Sequence, residues 1–143
     1  MIYTDATKKA MRLCSDAHKS QVDKSGIPYI FHPIHLAEQM QNEETTIVAL
    51  LHDVVEDSSY TFEDLESMGF SERILTAVKL LTCEPGVPYM EYIAKIKENP
   101  IARTVKLADL AHNSDLSRLK KTDEKVLARV RKYEQAIRIL NDI

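Results

Sequence analysis

The chain has 143 residues, which suits one domain, and its formal net charge of −3 argues against the broad basic surface of a non-specific nucleic-acid binder. Three glycines and five prolines give few turn signals for an all-β fold, and no apolar run reaches the roughly 18 residues of a membrane span. The two cysteines suit a reducing compartment better than a disulfide framework, so we expect a cytoplasmic protein. Together with the length, the charge and the hydropathy, this predicts one domain over residues 1–143, with neither nucleic acid nor a membrane as its partner.

Apolar residues recur at helical spacing near the start of the chain and predict a helix over residues 5–19. A loop follows over residues 21–33, and in it two prolines flank the segment Tyr29-Ile30-Phe31-His32. Because the residue before a proline disfavours helical backbone, we expect His32 on extended backbone. Pro33 suits the first turn of a second helix, which is predicted to run to about Gln41.

Residues 43–57 are the most apolar segment and predict one continuous core helix, buried on nearly all sides. Thr61 and Asp64 have the spacing of a capping box that opens a short helix. Further helices are predicted over residues 71–81, 88–98 and 100–113, and an amphipathic stripe from Val126 to Leu140 predicts a C-terminal helix. No segment has a convincing strand pattern, so the predicted fold class is all-α, a single-domain helical bundle.

Polar residues gather at the end of the core helix, where His52-Asp53 is followed by Glu56-Asp57. On one continuous helix, Glu56 stacks above His52 and Asp57 above Asp53. Burial of such groups is costly unless they are paired or hold a metal, and three carboxylates repel one another unless a cation or a proton relieves them. The alternative is a helix end whose charges reach solvent, with His52 bonded to a backbone carbonyl.

A second polar pair lies in the predicted helix over residues 100–113, where Asp109 stands among apolar residues and Asn113 follows one turn later on the same face. A lone aspartate there is commonly a buried cap or an ion-pair partner. It can also supply an oxygen ligand to a set of two histidines and one aspartate. His112, one residue away from that face, is the competing candidate for this role.

The remaining histidines fall into two groups. The proline-flanked segment is stiff and presents the imidazole of His32. We expect His35 to face solvent or to cap a helix. We expect His18 to have a structural role at the end of the first helix, where a partly positive imidazole suits the negative helix terminus.

Three motifs in fixed order carry a resemblance to a known family. They are Lys24–Pro33, His52–Asp57 and Lys106–Asn113. Together they resemble the HD-domain hydrolases of the RelA/SpoT family, and among these the small stand-alone domains related to those that remove pyrophosphate from the alarmone (p)ppGpp. The motifs lie between His18 and Arg118, and the resemblance implies an all-helical bundle of the HD-domain type.

The resemblance also implies roles for individual residues. Four protein ligands would hold one divalent cation, which is manganese in the RelA/SpoT hydrolases: His32, His52, Asp53 and Asp109. An acidic pair would position or activate the attacking water: Glu56 and Asp57. The nucleotide substrate would lie near an ammonium and an amide, with a second ammonium adding to the positive field: Lys24, Asn113 and Lys106.

Two positions depart from the family pattern. Asp23 replaces the first member of a basic pair that packs against guanine in the alarmone hydrolases, and a carboxylate cannot stack as a guanidinium does. Leu110-Ala111 follows Asp109 where an arginine or lysine is common.

The leading prediction is therefore metal-dependent hydrolysis of a pyrophosphate or phosphate ester of a guanosine-type nucleotide. One alternative is an HD-domain phosphohydrolase that acts on a different nucleotide or on a phosphorylated metabolite. Another is a metal- or nucleotide-sensing module without turnover, and a purely structural helical protein is the last.

Overall fold

Every regular element that the structure describes is helical, which confirms the predicted fold class. A computed structural model describes residues 1–119 and 122–142, and within these ranges the one extended pairing is an isolated antiparallel bridge between Val22 and Pro28. A 3₁₀-helix spans Leu116–Arg118 between the last two α-helices. The α-helices in the described ranges are α1 (Asp5–His18), α2 (Phe31–Glu38), α3 (Glu43–Leu51), α4 (Val54–Asp57), α5 (Phe62–Ser67), α6 (Glu72–Leu81), α7 (Tyr89–Lys97), α8 (Pro100–Asn113) and α9 (Glu124–Asn141).

Short polar side chains define where most of these helices begin. At each such position the side-chain oxygen accepts a hydrogen bond from a backbone N–H of the first turn, which otherwise has no partner. The predicted capping box is confirmed, because Thr61 and Asp64 each bond the backbone N–H of the other at 3.1 and 2.9 Å. The capping residues are Thr4, Asn42, Thr61, Ser71, Asn99 and Asp123.

The prediction of one continuous helix over residues 43–57 is wrong, because the chain breaks at His52 and Asp53 between α3 and α4. Nδ1 of His52 lies 2.6 Å from the carbonyl oxygen of Ala49, and this local bond competes with the helical ladder. The backbone N–H of Asp57 still bonds the carbonyl of Asp53 at 2.9 Å. The predicted stacking of both acidic residues along a single helix is therefore replaced by a separate turn that follows the break.

The prediction of extended backbone at His32 is also wrong, because α2 begins at Phe31. The N–H of His32 bonds the carbonyl of Tyr29 at 2.9 Å, which continues a turn that starts before the helix. Pro33 has no N–H to donate, but a first-turn N–H has no partner inside the helix, so the proline costs no hydrogen bond there. The helix ends at Glu38, three residues before its predicted end.

Helix α3 forms the centre of the bundle and packs against α1, α2, α6 and α8. Its residues 45–51 are all buried, which confirms the prediction of a core helix. Helix α9 covers α7 and α8 on one side. None of the helices within residues 1–119 and 122–142 combines the length and the apolar character that a membrane crossing requires. The packing brings the junction of α3 and α4 close to the first turn of α2 and to α8.

We expect the Ile47→Ala substitution in the middle of α3 to lower the free energy of unfolding by about 2–5 kcal/mol. Ile47 is completely buried, so truncation leaves a cavity in the centre of the bundle. Urea denaturation followed by circular dichroism measures the loss. Leu127 on α9 is 37% exposed, and Leu127→Ala is the control, with an expected change within about 0.5 kcal/mol. Equal losses in the two variants would contradict a core centred on α3.

Candidate functional site

Three buried side chains from separate parts of the chain meet at the break between α3 and α4. They are His32 from α2, His52 from the break and Asp109 from α8, and one donor atom of each lies within 4.8 Å of the others. Nε2 of His32 is 2.8 Å from Oδ1 of Asp109, and Nε2 of His52 is 3.6 Å from the same oxygen. Three of the four predicted metal ligands are therefore brought together.

Asp53, the fourth predicted ligand, lies beside this group. Its Oδ2 is 3.0 Å from Nε2 of His52 and accepts a hydrogen bond from the hydroxyl of Tyr29. Burial alone would raise the pKa of the Asp53 carboxyl, but the adjacent His52 lowers it to about 2. Burial likewise opposes a charge on His52, and Asp53 and Asp109 together raise its pKa well above the usual value. The carboxylate of Asp53 is therefore ionised and lies beside the imidazole of His52.

The two imidazoles are oriented by the ring nitrogens that face away from Asp109. Nδ1 of His52 donates to Ala49, as described above, so its Nε2 points into the cluster. This Nε2 is buried and has no hydrogen-bond partner among the described residues, since its close approaches to the carboxylates lack hydrogen-bonding geometry. Nδ1 of His32 lies 2.7 Å from Nδ1 of His112, and the two rings are stacked. His112 therefore contacts His32 from outside the cluster.

The carboxylate of Asp109 is held by two further residues of α8. Nζ of Lys106 lies 2.9 Å from its Oδ2, and the amide of Asn113 donates to its Oδ1 at 3.0 Å, as the predicted shared face requires. Burial would raise the pKa of the Asp109 carboxyl, but Lys106 and the two histidines lower it well below the usual value. The same pairing raises the pKa of Lys106 in spite of its burial. Asp109 is therefore a buried anion with several partners.

This set of donor atoms fits a divalent cation. Two imidazole nitrogens and two carboxylates are ligands that manganese, iron, cobalt and zinc accept. Nε2 of His52 is a buried atom without a hydrogen-bond partner among the described residues, and the other nitrogen of the same ring bonds a backbone carbonyl, as is usual for metal-binding histidines. The arrangement can therefore hold one metal ion.

Glu56 and Asp57 lie on the short helix α4, which begins directly after His52 and Asp53. The backbone N–H of Cys83 donates to Oε1 of Glu56 at 3.3 Å. Burial raises the pKa of both carboxyls, and the nearby charge of Asp53 raises them further. Each of the two carboxylates is therefore a stronger base than it would be in water.

A cavity of about 940 Å³ lies beside these two carboxylates and is open to solvent. Lys24 and Asn113, two of the three predicted substrate contacts, line it. Among the described residues, Lys106 is absent from its lining, because its ammonium binds Asp109 inside the bundle. The cavity wall also includes Arg118, which is not among the predicted substrate contacts.

Three further residues at the site were not predicted. Tyr29 bonds Asp53, and Arg129 and Tyr133 of α9 line the cavity. Tyr133 belongs to the apolar stripe of α9, and Arg129 stands one turn before it. The arginine one turn before a tyrosine of the apolar stripe is too common a pattern on amphipathic helices to have identified this wall from the sequence.

Asp23 shapes the loop at the rim of the cavity. Its Oδ1 accepts hydrogen bonds from the backbone N–H groups of Ser25 and Ile27 at 2.8 and 3.0 Å. Its Oδ2 lies 3.7 Å from Nη2 of Arg118, whose Nη1 donates to the carbonyl of His112 at 2.6 Å. A positive charge therefore stands beside position 23, supplied by Arg118.

Comparison with protein-family models gives no match. Among curated proteins, guanosine-3′,5′-bis(diphosphate) 3′-pyrophosphohydrolase MESH1 from Danio rerio is 35% identical over 124 residues, which cover 77% of this chain and 68% of that protein. A protein from Aquifex aeolicus named guanosine-3′,5′-bis(diphosphate) 3′-pyrophosphohydrolase is 32% identical over 123 residues, or 78% of this chain. The bifunctional (p)ppGpp synthase/hydrolase SpoT of Escherichia coli is 43% identical over 65 residues, or 43% of this chain.

The relatives differ in length. The matched region spans 18% of the Aquifex aeolicus protein and 9% of the Escherichia coli protein. Among solved structures, a metazoan ortholog of SpoT superposes with a TM-score of 0.77 at 23% identity, covering 99% of this chain and 89% of that one. This superposition shows that the two chains share a fold.

We expect the Lys106→Met substitution to lower the free energy of unfolding of the metal-free protein by about 3 kcal/mol. The reason is that the buried carboxylate of Asp109 loses the ammonium that lies 2.9 Å away. Urea denaturation in the presence of a chelator measures the change, and Lys95→Met at an exposed position of α7 is the matched control. A loss equal to that of the control would contradict the charge pairing.

Proposed function

The chain belongs to the family of guanosine-3′,5′-bis(diphosphate) 3′-pyrophosphohydrolases, and we propose from this membership that it is a metal-dependent phosphohydrolase of a guanosine-type nucleotide. The observation that carries the proposal is the meeting of His32, His52 and Asp109 beside a cavity whose wall holds Glu56 and Asp57. The proposed substrate is ppGpp, from which the 3′-pyrophosphate is removed.

We assign the metal site to four residues and expect manganese as the ion. Nε2 of His52 lies 3.0 Å from Oδ2 of Asp53, and Nε2 of His32 lies 2.8 Å from Oδ1 of Asp109. A divalent ion held there supplies Lewis acidity toward a phosphoryl oxygen and toward the attacking water. The assigned ligands are His32, His52, Asp53 and Asp109.

Glu56 and Asp57 are assigned to the attacking water. Their raised pKa values make them better proton acceptors than ordinary carboxylates, and the N–H of Cys83 fixes one oxygen of Glu56. One of these two carboxylates accepts a proton from the water as the water oxygen bonds to phosphorus. The bond from phosphorus to the ribose 3′-oxygen then breaks, and that oxygen can receive the same proton.

The nucleotide itself is assigned to the cavity of about 940 Å³. Lys24, Arg118 and Arg129 on its wall offer cationic groups to phosphate oxygens, and Asn113 offers an amide. Lys106 acts on the substrate only through the charge of Asp109, with which it is paired. These contacts supply a local positive field in a chain whose net charge is negative.

A second candidate is an HD-domain phosphohydrolase of another nucleotide or of a phosphorylated metabolite. Asp23 favours it, because this carboxylate stands at the rim of the cavity where the resemblance implies a basic residue that packs against guanine. The neighbouring Arg118 favours ppGpp, because it returns a guanidinium to the same rim. The choice between the two candidates is a matter for a substrate panel.

We expect the purified protein, loaded with Mn²⁺, to release pyrophosphate from ppGpp. A panel that also contains pppGpp, GTP, ATP, other nucleoside polyphosphates and phosphorylated sugars separates the candidates, with products quantified by ion-exchange chromatography. Turnover of another member with ppGpp intact would favour the second candidate. No turnover of any member, with bound metal verified by elemental analysis, would leave a sensing module.

We expect Asp53→Ala to abolish both metal retention and hydrolysis, because it removes a carboxylate that faces His52. Glu56→Gln is expected to keep the metal and to lower kcat by about 100-fold, because the amide cannot accept the proton. Elemental analysis and turnover are measured on the same samples, with the exposed Glu63→Gln as the control. Unchanged metal content in Asp53→Ala would refute the ligand assignment.

A further inference from the structure

Hydrogen bonds connect His18 at the end of α1 to the backbone of Asp57. Nδ1 of His18 lies 2.8 Å from Oε1 of Gln21, and the amide nitrogen of Gln21 donates to the carbonyl of Asp57 at 2.7 Å. The same nitrogen donates to the carbonyl of Ala17 at 3.2 Å. Because the amide nitrogen faces two carbonyl acceptors, its oxygen must be the acceptor for His18, and Nδ1 of His18 carries the hydrogen.

Helix α4 depends on such outside contacts. It has only four residues, so its last carbonyls have no partners within the helix. The hydroxyl of Ser58 donates to the carbonyl of Val54 at 2.5 Å, and Gln21 supplies the donor for Asp57. Since Ser58 directly follows α4, the bond from Gln21 ties the backbone at this helix end to another element.

His18 is an unusual side chain for its surroundings. It is 1% exposed, its ring packs against that of Tyr29 at 5.0 Å, and its Nε2 is buried without a partner among the described residues. A buried polar atom without a partner costs free energy that an apolar side chain of similar size would avoid. The bond from its Nδ1 to Gln21 is the one polar contact that offsets this cost within the described structure.

We propose that His18 and Gln21 are positioning residues for the Glu56–Asp57 pair. The inference rests on the proposed function, and both residues act through the backbone of Asp57. Two contacts then fix the pair, since the N–H of Cys83 holds the side chain of Glu56 while Gln21 holds the carbonyl of Asp57. His18 orients the Gln21 amide so that its nitrogen, and not its oxygen, faces that carbonyl.

Two substitutions at His18 test the hydrogen bond itself. In asparagine the side-chain nitrogen is separated from Cβ by the same two bonds as Nδ1 of histidine, so His18→Asn keeps a donor for Gln21. His18→Leu removes it. We expect His18→Leu to lower kcat toward ppGpp by about 10-fold while KM changes less than twofold, because a small displacement of a catalytic group has a large effect on rate. His18→Asn is expected to retain most of kcat.

Gln21→Met removes the hydrogen bond to the carbonyl of Asp57 directly. It keeps the inference testable if His18→Leu does not fold. We expect it to reproduce the loss of kcat, and the double variant His18→Leu/Gln21→Met to lose no more than either single variant. Gln39→Met, at an exposed glutamine whose amide bonds the nearby His35 carbonyl, is the control. Unchanged kcat in a folded Gln21→Met protein, or equal losses in His18→Asn and His18→Leu, would overturn the inference.

A measurement without substrate separates this inference from the proposed function. Hydrogen–deuterium exchange of peptides that cover residues 54–58 is compared in the metal-free proteins. We expect faster exchange in His18→Leu and Gln21→Met, and wild-type exchange in His18→Asn and Gln39→Met. Unchanged exchange in the first two would overturn the positioning role even if ppGpp is hydrolysed. Absence of turnover in the wild-type protein would overturn the function, and with it the catalytic meaning of the contact.

Discussion

The buried carboxylate of Asp109 is the constraint on which the rest of the site depends. An isolated carboxylate in the centre of a bundle is unstable, so each helix that surrounds it must present a donor or a cation. Helix α2 supplies His32, the break after α3 supplies His52, and α8 itself supplies Lys106 and Asn113. The relative positions of three helices are thereby tied to one anion.

The break between α3 and α4 is the second requirement. An uninterrupted helix would carry His52, Asp53, Glu56 and Asp57 along one rod, whereas the break gives the two pairs separate orientations. His52 turns toward Asp109 and Asp53, and α4 is left as one turn that needs support from other elements. Ser58 and Gln21 provide that support at its end. A fixed metal site and an acidic pair with its own orientation both follow from this irregularity.

Local patterns in the sequence predicted the helical class and most helix boundaries, and the resemblance to the RelA/SpoT hydrolases implied the grouping of His32, His52, Asp53 and Asp109. They could not predict that α2 begins at Phe31 or that the core helix breaks at His52. Both features depend on whether a local hydrogen bond replaces one of the regular backbone hydrogen bonds of a helix. The contribution of Tyr29, Arg129 and Tyr133 was equally hidden, because it arises only when α9 and the loop before α2 pack around the same cavity.

Charge balance explains why the acidic residues and the cation belong together. Four carboxylates, Asp53, Glu56, Asp57 and Asp109, lie in or beside the cluster, and the ammonium of Lys106 pairs with one of them, Asp109. Burial raises the pKa values of Glu56 and Asp57, and the negative charge of Asp53 raises them further. A divalent cation between the histidines and Asp109 would offset the part of this rise that comes from Asp53, while the part that comes from burial would remain. The ion that would activate the water would thereby also favour the ionised form of the two proton acceptors.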